Sequence, residues 1–179
     1  MLSLVHEMRP VDWDYGRLRN GLYDFCHQAK NILGDNITIV EIGSYCASGT
    51  LIFHDVFPDS KILCVDAWEK YLEDNAKYDL DRQYFELKEA EIIFDWRTHK
   101  IPNIVKNKSL SLDFCKTIED QSIDLVYIDG NHSYSFVKED IAHWMPKIKN
   151  GGIIGGHDWD WEGVRNAILD SFEIGRAHV

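Results

Sequence analysis

Two short stretches of this chain hold residue types that could do chemistry at one place. "DLVYIDGNHSY" (Asp124–Tyr134) carries a carboxylate, Asp129, and an imidazole, His132, three residues further on. "GIIGGHDW" (Gly152–Trp159) carries His157 and Asp158 side by side. In each, an apolar run leads straight into the polar residues, as in a strand buried on both faces. Open α/β sheets place their ligands at the carboxyl ends of such strands. Read singly, each feature has an ordinary explanation. Asp129-Gly130-Asn131 is a common turn, His132 a surface or capping residue, and Asp158 a helix cap. Their joint appearance at two strand ends is what favours a site.

A further constellation lies upstream. In "VEIGSYCASGT" (Val40–Thr50) a strand ends in Glu41 and turns at Gly43 toward a helix amino terminus. Such a turn offers free backbone N–H groups and close access to a ligand. The spacing is not that of a dinucleotide-binding G-x-G-x-x-G, and the charge of Glu41 opposes a phosphate. An acid there suits a ligand with an ammonium group or hydroxyls. Asp66, at the end of "KILCVDA" (Lys61–Ala67), stands where α/β folds hold a ribose diol. Together these residues point to a nucleoside.

The elements that must position these groups alternate in character, and this predicts a doubly wound, mostly parallel sheet with right-handed crossovers. Leu18, Leu22, Phe25, Ala29 and Leu33 recur at helical spacing, so a helix is expected over Trp13–Leu33, stopped by Gly34. Strands are expected at Ile37–Gly43, Lys61–Ala67, Asn103–Ser109 (weak and polar), Ile123–Asp129 and Gly152–Trp159. Helices are expected from Ser48, with that serine as cap, then near Gln83–Thr98 and Leu112–Ile118, and over Trp161–Phe172. Another has Val137, Ile141, Trp144, Met145 and Ile148 on one face and stops at Asn150-Gly151-Gly152. Glu69–Arg82 is acidic and aromatic without period, and reads as an insertion.

With 179 residues and 45% hydrophobic composition, the chain suits one domain with a sizeable core. A net charge of -11 argues against nucleic acid or an anionic membrane as partner. Cys26, Cys46, Cys64 and Cys115 are scattered and form no C-x-x-C, so they read as core residues in a reducing, cytoplasmic compartment. No stretch approaches the length of a membrane span, and no leader is visible at the start. The partner expected is a small-molecule acceptor, with a homo-oligomer left open.

Taken in order, "VEIGSYCASGT", "VDAW", "IDLVYIDGNHSY" and "NGGIIGGHDW" resemble class I S-adenosylmethionine-dependent methyltransferases, with a Rossmann-like fold. The likeness is to the divalent-metal-dependent O-methyltransferases, including the catechol and macrolide-sugar enzymes, and to methyltransferase family 24. It covers about Ile37 to Phe172. The resemblance implies that Glu41, Gly43, Ser44 and Tyr45 line the methionine part of S-adenosylmethionine. Asp66 would hold the ribose hydroxyls, Trp68 would pack near the adenine, Ser109 would lie at the adenine edge, and Asp129 would border the cofactor. It further implies a metal site of Asp129, His157 and Asp158. Carboxylate oxygens suit Mg²⁺, whereas the His157 nitrogen, where relatives often have an acid or asparagine, also admits Mn²⁺, Fe²⁺, Co²⁺, Ni²⁺ or Zn²⁺. His132 occupies the place of a general base in the sugar-modifying relatives. A hydroxyl beside a cation loses its proton readily, and an imidazole with an ordinary pKa of about 6.5 can take it.

The resemblance sets an N-terminal helical segment (1–36) apart from the cofactor-binding domain (37–172), and the last seven residues, "EIGRAHV" (Glu173–Val179), read by themselves as a non-native tail. The resemblance also leads one to expect that the last two strands of the fold are lacking and that the outer edge of the fifth is uncovered. Glu69–Arg82 is where acceptor specificity would be sought first. Trp144 and Trp161 read as core, and Trp159 as a wall of the acceptor site. Two other functions fit parts of the pattern. One is a cofactor-binding domain without catalysis; the other is a metal-dependent hydrolase, which leaves Glu41 and Asp66 without a role.

Overall fold

The computed structural model describes residues 15–71 and 80–176, with side chains over 21–71 and 86–172. The described elements, in order, are α1 (Tyr15–Leu33), β1 (Thr38–Ile42), α2 (Ser48–Val56), β2 (Lys61–Asp66), α3 (Leu80–Thr98) and β3 (Ile104–Lys108). They continue with α4 (Ser111–Cys115), β4 (Ile123–Ile128), α5 (Tyr134–Trp144), a 3₁₀ turn (Met145–Lys147), β5 (Ile148–Gly156) and α6 (Glu162–Arg176). The five strands form one parallel sheet in the order β3-β2-β1-β4-β5. This is the Rossmann-like α/β arrangement the alternation predicts. The order reverses between β1 and β4, so their carboxyl ends open a crevice.

Alternation along each strand divides the core in two. Ile39, Cys64, Leu125 and Tyr127 face one side and pack with Cys26 and Ala29 of α1, Phe53 of α2 and Phe94 of α3. Val40, Val65, Val126 and Ile128 face the other and pack with Val137, Ile141 and Trp144 of α5 and Val164 and Ala167 of α6. The four cysteines are free and buried, as core residues should be. No described helix is long and apolar enough to cross a membrane.

Several boundaries differ from the periodic reading, each for a local reason. α1 ends as expected, with the Gly34 N–H returning to the Lys30 carbonyl at 2.9 Å. The start expected at Trp13 and the side chain of Leu18 lie outside the described residues, as do residues 72–79 of the Glu69–Arg82 segment. Ser48 does not cap α2. Ala47 holds the cap position in the left-handed region (φ 67°), and no side chain caps that end. Pro146, in the turn after α5, ends the helix at Trp144, since its ring and missing N–H do not fit a helix interior. Ile148 therefore belongs to the sheet, opposite Ile123, and not to the helix face.

Asn150-Gly151-Gly152 is likewise no helix stop. It is an irregularity inside β5, where pairing jumps from Ile123↔Ile148 to Leu125↔Ile153. A side chain at Gly152 would meet the Asp124 carbonyl at 2.8 Å and Ile148 Cγ2 at 2.6 Å, so the bulge requires glycine. The strand ends at Gly156, before His157 and Asp158, and among the described residues no strand pairs with its outer edge.

Candidate active site

Backbone bonds that extend the sheet fix the residues just past each strand. The Gly43 N–H bonds the Val65 carbonyl at 2.9 Å, and Asp129 N–H bonds that of Ile42 at 2.8 Å. The His157 N–H bonds the Ile128 carbonyl at 3.1 Å, and that of Ser109 bonds Asp66 at 3.0 Å. Four loops thus leave the sheet with defined direction. They border a cleft of about 770 Å³, within the usual range of roughly 300–1,000 Å³ for small-molecule sites. Glu41, Gly43, Ser44, Tyr45, Asp66 and Ser109 line one part of it. Asp129, His132, His157 and Asp158 line another.

Gly43 is where the turn allows no alternative. Its φ of 86° lies in the left-handed region, and a Cβ there would overlap the Asp129 carbonyl oxygen at 2.0 Å. Tyr45 and Asp158, which also line this cleft, adopt positive φ as well. For non-glycine residues this is a local cost that tends to gather at functional sites.

Glu41 is buried, 3% exposed, and accepts a short hydrogen bond from the Thr50 hydroxyl. Burial pushes its carboxyl up to about 7; the Thr50 and Ser44 hydroxyls oppose this, and Asp129 adds to it. Asp66 accepts the N–H of Trp68 at 2.7 Å and that of Tyr45 at 2.9 Å, one on each oxygen. It thereby ties the loop after β1 to the loop after β2. Burial raises its carboxyl too, against the lowering effect of those two N–H donors.

At the neighbouring strand ends, Asp129, His132 and Asp158 present ligand atoms within 4.8 Å of one another. His132 Nε2 lies 2.7 Å from Asp158 Oδ2 and 3.8 Å from Asp129 Oδ1. His157 Nδ1 lies 3.0 Å from Asp158 Oδ1 and 3.9 Å from Asp129 Oδ1. Partial burial works to raise the Asp158 carboxyl, yet the two imidazoles outweigh it and hold it well below the usual carboxylate range. The bond to Asp158 raises the His157 imidazole against the effect of burial. Two carboxylates and an imidazole so close together fit a hard divalent cation. The imidazole within that trio is His132, and His157 Nδ1 stands almost as near to both carboxylates.

Trp68 is not at the cleft. Its ring is fully buried, 5.2 Å from Phe94, with Lys106 Nζ 4.8 Å above it and its indole N–H bonded to the Tyr45 carbonyl. The strand ends at Asp66, and the positive φ of Trp68 turns its side chain into the core. Trp161, expected in the core, is 46% exposed, and its ring lies 5.0 Å from that of His132. Trp144 is in the core, donating to Ser111 Oγ at 2.9 Å.

Sequence reasoning missed Ser111 and Asp140, which line the cleft beside Ser109. Ser111 Oγ donates to Asp140, and burial pushes that carboxyl up to about 6 against this bond. The signal was present: Asp140 is a carboxylate on the apolar face of α5, between Val137 and Ile141.

Residues 40–159 match the Methyltransferase domain family known as methyltransferase family 24. The chain belongs to that family. The S-adenosylmethionine-dependent class I resemblance therefore holds at family level. An uncharacterized protein of Sinorhizobium fredii, y4gI, is 44% identical over 41 residues, 23% of this chain and 4% of that protein, so this chain spans a small fraction of that relative. The fold is similar to that of a protein from Corynebacterium glutamicum (TM-score 0.56, 14% identity, 97% of this chain and 84% of the other). It is also similar to precorrin-6y C5,15-methyltransferase from Geobacter metallireducens GS-15 (TM-score 0.55, 15% identity, 82% and 68%). At such identities the likeness is one of fold.

Proposed function

We propose that this methyltransferase-family chain transfers a methyl group from S-adenosylmethionine to a hydroxyl of a small acceptor, assisted by a divalent cation. The observation that carries this reading is the meeting of Asp129, His132 and Asp158 within 4.8 Å, beside the cleft that Glu41 and Asp66 border. The cleft fits the cofactor in chemistry as well as in volume. Asp66 stands at a strand end where a ribose diol can bond a carboxylate, and Gly43–Tyr45 bring backbone close to the methionine part. The acids along the cleft suit a ligand that carries ammonium and sulfonium charge.

Asp129 and Asp158 would hold the cation, since Mg²⁺ keeps several waters and needs one or two carboxylates. Held there, the cation would lend acidity to a neighbouring hydroxyl. His132 would take the proton, its Nε2 standing 2.7 Å from Asp158 Oδ2 at the same carboxylate edge. His157 orients Asp158, and the Trp161 ring packs beside that of His132. Positioning is the protein's other contribution, because methyl transfer is an in-line displacement.

The experiment is calorimetric titration with S-adenosylhomocysteine, followed by methyl-transfer assays on hydroxylated acceptors with Mg²⁺ present and removed. His132→Ala should lose turnover by roughly 10²–10⁴-fold and keep S-adenosylhomocysteine binding. A chain that does not bind S-adenosylhomocysteine refutes the reading.

A further inference from the structure

Behind the reactive cluster lies a second cavity, of about 120 Å³, between the sheet and helices α5 and α6. Its walls are Ile128, Val137, Ile141, Ile154, Val164 and Ile168. Four of these belong to the buried core on that face: Ile128, Val137, Ile141 and Val164. Its mouth is polar. Asp129, His132 and His157 border both this chamber and the large cleft. Protein cores are close-packed, with few voids larger than a water molecule. A depression of this size in the apolar layer is a departure from ordinary packing, and among the described residues it adjoins the place where the proposed chemistry occurs, while Phe172 at its other end is 40% exposed. Nothing on the aliphatic walls offers water the two to four polar partners it needs. An enclosed apolar cavity of about 150 Å³ with comparable walls takes up benzene, which sets the size of group such walls accept.

We propose that this chamber receives an apolar group of the methyl acceptor, of benzene or branched-alkyl size, while the acceptor's hydroxyl stays at the mouth between Asp129 and His132. The assignment rests on the methyl-transfer reading above and narrows its acceptor to an alcohol or phenol whose hydroxyl adjoins a small apolar group. A bare sugar is excluded from the chamber, because its hydroxyls would leave water for walls that cannot bond them. The chamber lies on the α5/α6 face of the sheet, whereas Glu41 bonds Thr50 of α2 on the other face, so the apolar group and Glu41 sit on opposite sides of the strand ends.

The test uses the whole chain and benzene as probe. Benzene titration followed by amide NMR should give saturable shifts at Val137, Ile141, Ile154 and Ile168. Ile168→Phe and, separately, Ile154→Phe fill the chamber and should weaken benzene binding at least tenfold, with S-adenosylhomocysteine affinity within about twofold of the unaltered chain. Two filling variants guard against one that fails to fold, and retained cofactor binding reports the fold in each. S-adenosylhomocysteine binding without saturable benzene shifts, or benzene binding unchanged in both variants, overturns the chamber alone. Benzene binding without S-adenosylhomocysteine binding overturns the methyl-transfer reading, and the acceptor assignment with it.

Discussion

Replacing Glu41 by glutamine removes one ionisable group from the interior and keeps its shape and its bond with Thr50. Burial raises this carboxyl from an ordinary 4.5 to about 7. The folded chain therefore holds the Glu41 proton more tightly than the unfolded chain does. The stability this confers is complete below pH 4.5 and is lost as pH rises through about 7, because the unfolded state releases its proton first. At roughly 1.4 kcal/mol per pH unit, the 2.5-unit gap corresponds to about 3 kcal/mol. Glu41→Gln has no such dependence. Urea unfolding of both chains at intervals from pH 4.5 to 8.5 reads the difference. With a denaturant slope of about 2 kcal/mol/M, the variant's midpoint should gain about 1.5 M relative to the unaltered chain across that range. A difference between the two chains that does not change with pH would show that Glu41 is not held neutral by burial. A variant that becomes relatively less stable toward pH 8 would show that the folded chain stabilises the charge.

Other substitutions test the loops and the core. Asp66→Asn leaves one oxygen acceptor for the two N–H donors of Tyr45 and Trp68. It should cost about 1–3 kcal/mol in chemical denaturation and weaken S-adenosylhomocysteine binding in calorimetry. Gly43→Ala forces a Cβ onto the Asp129 carbonyl at 2.0 Å. It should destabilise by more than about 2 kcal/mol, read as a melting-point loss of roughly 4–8 °C. Trp144→Ala empties a fully buried site and removes the bond to Ser111, and should cost about 3–5 kcal/mol in urea unfolding. A loss under about 1 kcal/mol would contradict its place in the core.

Much of this architecture can be read from the chain because apolar runs and their polar ends follow sheet geometry. Ile39–Ile42 and Leu125–Ile128 are buried on both faces, so they read as strands, and their last residues mark where loops begin. That is why Glu41, Asp66, Asp129, His132, His157 and Asp158 could be grouped in advance and do line one cleft. What periodicity hides is local geometry. Ile148 fits the apolar face of α5, yet Pro146 turns the chain and the glycine bulge lets it join β5. Trp68 follows a site residue by two positions, but a positive φ sends its ring into the core. The choice between His132 and His157 as the imidazole beside both carboxylates depends on loop conformation, with Asp158 in the left-handed region at φ 58°. Asp140 was legible as an acid among apolar neighbours; its partner Ser111, on another helix, was not.

The decisive experiment is titration of the S-adenosylhomocysteine-saturated chain with Mn²⁺, followed by electron paramagnetic resonance, beside the double variant Asp129→Asn, Asp158→Asn. One Mn²⁺ should bind the unaltered chain, and that site should disappear or weaken at least tenfold in the double variant, with cofactor affinity retained. Absence of a specific Mn²⁺ site in the unaltered chain, or an equal one in the variant, would mean that these two strand ends do not share a cation.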